Sequence, residues 1–282
     1  MTSINIKEKL GYISKIVVNL LMVIFSITCI YPVIWMVYSS FKTQNEFNMD
    51  ILSLPSSISL ENYANALKTA NFIKYSANSL FNAVIGVTAI IIIAIVTSYF
   101  ISRFEFKGRK LIYGLFLGAM LIPIHSLLVP LFSIFNSIGL YNTRFTLIIP
   151  YITFGLPTTL FLTESFMNNL PKELDEAAAI DGCTLGRTIF TIIMPLCKPI
   201  LITTGILSFV FIWNEYTFAL TLLDSDKYKT ISLGLAKFQG QYSSDYVTQM
   251  AGIVLATLPI IIIYLVFNKK IIEGMTAGAV KG

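Results

Sequence analysis

The sequence predicts an all-α polytopic membrane protein with six transmembrane helices. Hydrophobic residues make up 55% of the 282 residues and charged residues only 12%, about half the charge of a usual soluble domain. The apolar residues fall in six runs, each long enough to supply the ~20 helical residues that cross a bilayer. Residues 90–95 show no alternation of apolar and polar side chains, so helices are predicted rather than the strands of a membrane barrel.

The spans follow in chain order from the apolar runs. Residues 1–15 contain three lysines, and the apolar run after them is too long for the core of a signal peptide, so it predicts an uncleaved first span. In the outer loop that follows, Ser59 is expected to cap a short helix. The six predicted spans are 16–38, 76–101, 110–135, 145–167, 199–222 and 248–268. Residues 16–75 are thus the first helix with its outer loop, 76–268 the core transmembrane domain and 269–282 a C-terminal tail.

The lysine and arginine residues predict the side of the membrane on which each loop lies. With the N-terminus inside, thirteen of the 20 fall in inner segments. The other seven lie in longer outer segments: Lys42, Lys68, Lys74, Arg144, Lys227, Lys229 and Lys237. Because basic residues accumulate on the cytoplasmic side, both termini and the loop 168–199 are predicted to be cytoplasmic. The net charge of +5 therefore indicates topology better than a nucleic-acid partner.

The polar loop 168–199 predicts two short helices joined at a glycine. Pro171 suits the first turn of a helix, where its missing N–H costs nothing. Three acidic residues lie near the positive end of that helix dipole: Glu173, Asp175 and Glu176. Gly182 is a natural stop, because glycine takes the left-handed conformation that ends helices. Thr184 is a good cap for the second helix, which is expected to end near Pro195.

This loop resembles the EAA loop of ABC importer permeases, in which Glu-Ala-Ala, a glycine four residues on and a later Ile-x-Leu-Pro recur. The matching residues are Glu176-Ala177-Ala178, Gly182 and Ile192-Ile193-Met194-Pro195, with Met194 in place of the usual leucine. The flanking residues Glu173-Leu174-Asp175 and Ile180-Asp181 make the loop similar to that of the carbohydrate-uptake branch, the maltose-type or type I family.

The resemblance implies a type I ABC importer permease fold and a subunit that borrows energy from other chains. Its partners would be a homologous permease, two ATPase subunits, an extracytoplasmic solute-binding protein and a sugar substrate. The first helix of the loop would dock in a cleft of one ATPase. Leu174, Ala177 and Ala178 would form its packing surface, and Glu176 would pair with a basic group of the ATPase. Asp181 would support the turn at Gly182. Pro195 completes the set of coupling residues. The chain would then lie in the cytoplasmic membrane of a prokaryote.

Glu215 is the clearest polar signal within a predicted span. An ionisable side chain at depth is costly and normally faces protein or water. One interpretation is a polar clamp between helices. The other is a lining of the substrate path, with Trp213, Asn214 and Tyr216 beside it, the aromatic rings serving as stacking surfaces for sugars. His125, expected to be buried among prolines that bend the third and fourth spans, is a further candidate for this path.

The last outer loop, 223–247, also has two interpretations. It is a solvated connector by composition, whereas the resemblance implies contact with the binding protein through Gln239, Gly240, Gln241 and Tyr242. The tail 269–282 looks like the permease tail that enters the ATPase dimer.

Several classes of function find no support in the sequence. There is no G-x-x-x-x-G-K-[ST] phosphate loop, no cluster of metal ligands and no catalytic Ser–His–acid set, so no enzyme activity, cofactor or metal is predicted. Two alternatives stay open. One is an ABC permease for a non-sugar solute, such as a glycerol phosphodiester or a peptide, although a phosphate would favour cationic groups that the spans almost lack. The other is a self-sufficient secondary transporter.

Overall fold

The computed structural model describes residues 2–69, 71–238 and 245–279, and within these ranges it contains helices and turns but no strand. The helices are α1 (Thr2–Ser39), α2 (Gln44–Met49), α3 (Glu61–Thr69), α4 (Phe72–Arg103), α5 (Arg109–Ala119), α6 (Leu128–Ser137), α7 (Ile148–Met167), α8 (Glu173–Ile180), α9 (Leu185–Arg187), α10 (Met194–Leu196), α11 (Lys198–Asn214), α12 (Thr217–Leu222), α13 (Ile231–Leu235) and α14 (Tyr246–Ala279). A 3₁₀ turn, Ile124–Leu127, precedes α6, and a π-helix, Thr188–Ile193, joins α9 to α10.

Three of these helical segments are long and apolar enough to cross a membrane, judged by length and composition among the described residues: Ser14–Ser39, Phe72–Arg103 and Tyr246–Lys269. Two further pairs qualify only if each bent pair is counted as one span. Arg109–Ala119 and Ile124–Ser137 meet at 94°, and Leu185–Leu196 and Lys198–Asn214 meet at 81°. The structure therefore gives three to five candidate spans.

The differences from six straight spans have local causes. The predicted span 110–135 is broken before Pro123, which cannot donate a helical hydrogen bond. The predicted span 145–167 corresponds to the helix α7, which is not among the candidate spans because it contains polar residues and prolines. The predicted span 199–222 ends at Asn214, since Glu215 has an extended conformation, and α12 is a separate short helix.

The two ends of the chain are more helical than their composition indicates. α1 begins at Thr2, so most of the N-terminal segment continues into the first long helix. α14 runs without interruption to Ala279, through most of the predicted tail. Pro259 lies inside α14, and Pro32 lies inside α1.

The chain divides into two compact units, each with its own interior. The first is Met1–Thr69 with Phe238–Leu255. Within it, the buried Asn62 amide donates to the carbonyls of Ser40 (2.8 Å) and Lys42 (2.7 Å) and fixes α3 against the end of α1. Ser59 accepts a hydrogen bond from the Glu61 N–H, which confirms the predicted start of the short outer helix.

The second unit is Ala70–Lys237 with Ala256–Gly282. Its centre is α4, which packs against α7 and α11. The approach is close because small residues lie at the crossings: a Cβ added at Gly155 would lie 2.5 Å from Ile90 Cδ1, and one added at Gly86 would lie 2.8 Å from Ile212 Cδ1. Buried apolar side chains, among them Tyr151 and Leu222, fill the interior around these contacts. This unit contains most of the candidate functional residues.

Candidate functional site: a coupling loop and a membrane path

The turn after α8 has the geometry that the sequence predicts. Gly182 has φ of +70°, a conformation that residues with a side chain rarely adopt. The Cys183 N–H donates to the Ala178 carbonyl at 2.9 Å, and the Gly182 N–H donates to the Ala179 carbonyl at 3.1 Å. These two bonds form a Schellman motif, which satisfies the last carbonyls of α8. The turn is thus closed by backbone atoms, without the side-chain support expected from Asp181.

α8 exposes a mixed acidic and apolar face. Glu176 and Ala177 are exposed, and Leu174 is half-buried, as a docking surface requires. Ala178 is only 2% exposed and packs within the chain, so the prediction that it faces a partner is wrong for this conformation. Ile180 instead is 86% exposed at the end of the helix. Sequence patterns missed it, although an isoleucine in a polar loop between spans was the available signal.

The second half of the loop anchors it to the membrane helices. Thr184 accepts a hydrogen bond from the Arg187 N–H and so caps α9, as predicted. The π-helix Thr188–Ile193 then presents Ile189 and Ile193 to Ile95 and Met167 in a buried cluster. The exposed Pro195 is the second residue of α10, just before the 81° bend into α11. The inner face of this part of the loop is therefore packed against the long helices.

Asp175 has a role that the sequence did not reveal. Its carboxylate lies 2.9 Å from Arg103 Nε at the end of α4, and it accepts a hydrogen bond of 2.8 Å from Tyr99 Oη. Arg103 also donates to the Leu170 carbonyl at 3.1 Å. No local spacing rule connects α4 to α8, so sequence reasoning assigned Asp175 only to the helix dipole and Arg103 only to topology.

Glu215 is bound to protein groups at the break between α11 and α12. Its carboxylate accepts hydrogen bonds from the N–H groups of Phe218 and Ala219 and from Tyr151 Oη (2.9 Å). It therefore caps the N-terminus of α12 and ties this helix to α7. These contacts favour the polar-clamp interpretation over a free acid in the substrate path.

The neighbours of Glu215 divide between the interior and the surface. Trp213 is 4% exposed, stacks on Phe209 and donates from Nε1 to the Ala256 carbonyl at 3.0 Å. Its ring is therefore not available for stacking on a sugar in this conformation, contrary to the prediction. Asn214 and Tyr216 are exposed, as a path lining requires. His125 is also exposed, in the 3₁₀ turn at the 94° bend, rather than buried as expected.

A cavity of about 280 Å³ lies between α7 and α11, next to the turn that contains His125. Its walls combine aromatic rings with hydroxyl groups. The lining residues are Ile124, Phe154, Gly155, Thr158, Thr159, Thr204, Leu207, Ser208 and Phe211. Single-sequence reasoning had no signal for this set, because it depends on how two helices face each other.

The start of the loop 223–247 is fixed to α4 by polar side chains. The Asn78 amide donates to the carbonyls of Lys227 (3.0 Å) and Lys229 (2.9 Å), and its oxygen accepts from Arg144. Ser79 Oγ accepts from the Ile231 N–H at 2.9 Å. This network holds residues 227–231 in one conformation.

An ion cluster lies beside the same loop. Hydrogen bonds from the ammonium groups of Lys229 and Lys237 lower the pKa of Asp226 to about 2. A hydrogen bond to Tyr75 Oη, at 2.8 Å, raises the pKa of Lys237. Asp226 therefore keeps its negative charge at physiological pH. The expected binding-protein contacts Gln239, Gly240, Gln241 and Tyr242 lie outside the described residues.

Comparison with known proteins decides the family. The family described as "Binding-protein-dependent transport system inner membrane component" matches residues 86–275. This chain belongs to that family. Its members are the permease components of ABC transporters, so the resemblance drawn from the EAA loop is confirmed.

Relatives of this permease match over almost their whole length. An ABC transporter permease protein from Caldicellulosiruptor sp. (strain Rt8B.4) is 41% identical over 252 residues, which are 89% of this chain and 91% of the relative. The trehalose/maltose transport system permease protein MalG of Thermococcus litoralis is 38% identical over 264 residues, 92% of this chain and 94% of the relative. A chain from the crystal structure of a bacterial ABC transporter for alginate import has a TM-score of 0.81 at 24% identity and covers 91% of this permease and 96% of its own length.

The permease is thus an inner-membrane transport component and is not itself catalytic. Across the residues that the structure describes, no group of three or more His, Cys, Asp and Glu side chains could hold a metal ion.

Proposed function

We propose that this permease subunit carries a sugar or oligosaccharide across the cytoplasmic membrane, driven by ATPase subunits that dock on α8. The observation that carries the proposal is the exposed end of α8, closed by the Gly182 turn, in a chain of the binding-protein-dependent transport family. The relative from Thermococcus litoralis is a trehalose/maltose permease, which supports a carbohydrate as the solute.

The shape and charge of α8 suit a cleft on another protein. It is a short helix of eight residues, in which Glu176, Ala177 and Ile180 are exposed. Burial of the Ile180 side chain in such a cleft would favour binding by about 1.5–3 kcal/mol. Ile180 would thus anchor the end of α8 to the partner protein. Glu176 would form an ion pair with a basic group of the ATPase, and Leu174, Asp181, Gly182 and Pro195 would form the edges of the contact.

Six spans with both termini and the coupling loop in the cytoplasm are part of the proposal. α7 has 20 residues, and at 1.5 Å per residue it is about 30 Å long, the thickness of the hydrocarbon core. Counting α7 with the three long helices and the two bent pairs gives six. The excess of lysine and arginine in the inner segments supports the orientation.

The substrate path would run along the cavity between α7 and α11. Aromatic rings offer apolar faces to sugar rings, and the hydroxyls of Thr158 and Ser208 can exchange hydrogen bonds with sugar hydroxyls. Asn214, Tyr216 and His125 would lie along the same route, with Glu215 maintaining the helix break rather than touching the solute. A homologous permease would supply the opposite wall.

The remaining partners follow from the family. A solute-binding protein outside the membrane would dock against the outer loop, whose base is fixed by Asn78, and Gln239, Gly240, Gln241 and Tyr242 would reach toward it. The residues 269–282 would approach the ATPase dimer. Binding energy at one face would then favour closure at the other, because coupling between two sites is reciprocal.

The test is purification of the intact complex through a tag on this permease. We expect an ATPase, a second permease and a binding protein to co-purify, and a carbohydrate from a panel of oligosaccharides to stimulate ATP hydrolysis in membranes. Solute uptake by vesicles that contain this chain alone would contradict the proposal. Stimulation only by a peptide or a phosphodiester would contradict the carbohydrate assignment while leaving the transport mechanism in place.

A further inference from the structure

One side chain of α8, that of Asp175, makes a polar link to α4. Of the eight residues of α8, Ala178 alone is fully buried, and it contributes only a methyl group to the packing. The other strong contacts come from Asp175, whose carboxylate is turned toward α4 while Glu173 and Glu176 are exposed. Apolar packing of α8 is therefore small, and the polar link is its principal connection to α4.

The link between Asp175 and α4 consists of an ion pair with Arg103 and a hydrogen bond from Tyr99. One carboxylate oxygen of Asp175 accepts a hydrogen bond from Tyr99 Oη at 2.8 Å, and the other lies 2.9 Å from Arg103 Nε, a close ion pair without the geometry of a hydrogen bond. The side chain of Arg103 is 6% exposed and that of Asp175 is 19% exposed, so solvent screens the pair little. The hydrogen bond from Tyr99 orients the carboxylate, and the attraction between opposite charges holds it close to Arg103.

The contacts of Arg103 connect the link between Asp175 and α4 to the core of the permease. Arg103 is the last residue of α4, and it also donates to the Leu170 carbonyl between α7 and α8. α4 in turn packs against α7 and α11, which form the wall of the cavity. A displacement of α8 is therefore passed to the helix at the centre of the unit through contiguous contacts.

We propose that Asp175 is a positioning residue for transport: held by Arg103 and Tyr99, it makes α8 and the inner end of α4 move together when an ATPase displaces α8. The inference rests on the proposed docking of α8, but it concerns a different step. Glu176 and Ile180 would hold the ATPase, whereas Asp175 would pass the motion into the membrane.

The first test is Asp175→Asn in the intact complex, reconstituted in vesicles. Asparagine keeps the shape and an oxygen that can accept from Tyr99, but it lacks the charge that attracts Arg103. We expect the ATPase to co-purify as before, while the number of solute molecules imported per ATP hydrolysed falls by about tenfold, within the usual range of coupling between sites. Glu173→Gln is the matched control, since it removes the same charge from an exposed position of the same helix and should keep the ratio.

The second test reverses the pair. Arg103→Asp and Asp175→Arg should each lower the import per ATP, and the double variant should recover much of it, because the opposite charges face each other again. A merely structural role would not change the import per ATP of complexes that assemble normally. Size-exclusion chromatography of each complex confirms assembly.

Three results would overturn the inference. One is a wild-type ratio in Asp175→Asn. Another is loss of the ATPase from that variant, which would place Asp175 in the docking surface. The third is a doubly reversed chain that assembles but recovers nothing. Failure of the docking proposal gives a different result: Glu176→Lys would keep both the ATPase and wild-type import, whatever the outcome at Asp175.

Discussion

Replacing Gly182 with valine should weaken coupling through the backbone alone. At φ of +70°, a residue with a side chain is strained, and the left-handed conformation costs about 1–2 kcal/mol. A Cβ at this position would meet no atom within 4 Å, so no steric clash adds to that penalty. A strain of about 1–2 kcal/mol lowers the equilibrium constant for the correct turn by a factor of about 5–30, and the population falls by that factor where the turn becomes the minor state. We therefore expect import to fall by about that factor while the membrane helices stay folded.

Two variants give the Gly182 prediction its controls. Gly186→Val also places a Cβ in open space, but on a helix of ordinary geometry, so it tests β-branching without the backbone strain. Gly182→Asn should retain most of the import, because asparagine tolerates the left-handed conformation. The assay is solute uptake by vesicles that contain the whole complex, normalised to the amount of co-purified ATPase. Equal import by Gly182→Val and Gly186→Val would refute the reasoning from φ.

Two further predictions concern polar side chains within the second unit. Glu215→Ala should lower the free energy of unfolding by about 1–3 kcal/mol, since it leaves the capping N–H groups and Tyr151 without a partner. Glu215→Gln should cost less, and thermal unfolding of the purified complex measures both; loss of import by Glu215→Gln without loss of stability would instead place Glu215 in the path. Asn78→Ala should increase hydrogen exchange at the amides of 227–231, because it removes both bonds to the loop. Asn168→Ala, at the opposite end of the unit, should leave exchange in this loop unchanged.

Local rules predicted the parts of the molecule that local forces determine. Glycine at 182, threonine at 184 and serine at 59 each predicted a helix end, and the structure has the positive φ or the capping contact at each. These features depend on neighbours in sequence, so one chain without relatives is enough to find them. The turn at Gly182 is also part of the EAA motif, and the resemblance to that motif indicated the family.

The parts that were missed depend on tertiary contacts. The pair Arg103–Asp175 joins residues far apart in sequence, and no periodicity relates them. Which face of α8 turns inward depends on the tertiary packing of this helix, including its contacts with the π-helix, so the burial of Ala178 was not predicted. The end of the fifth predicted span at Asn214 was also missed, because a hydrophobic run does not show that Glu215 will bond to the amides of α12.

The most direct measurement of the central claim is site-specific cross-linking from α8 in the intact transporter. Ile180→Cys places a thiol at the exposed end of the helix, and a short bifunctional reagent would join it to a neighbour. Our account predicts an adduct with an ATPase subunit whose yield changes when ATP is added, and protection of the thiol from impermeant reagents applied outside. An adduct with no ATPase, or labelling of the introduced thiol from the outer face, would contradict it.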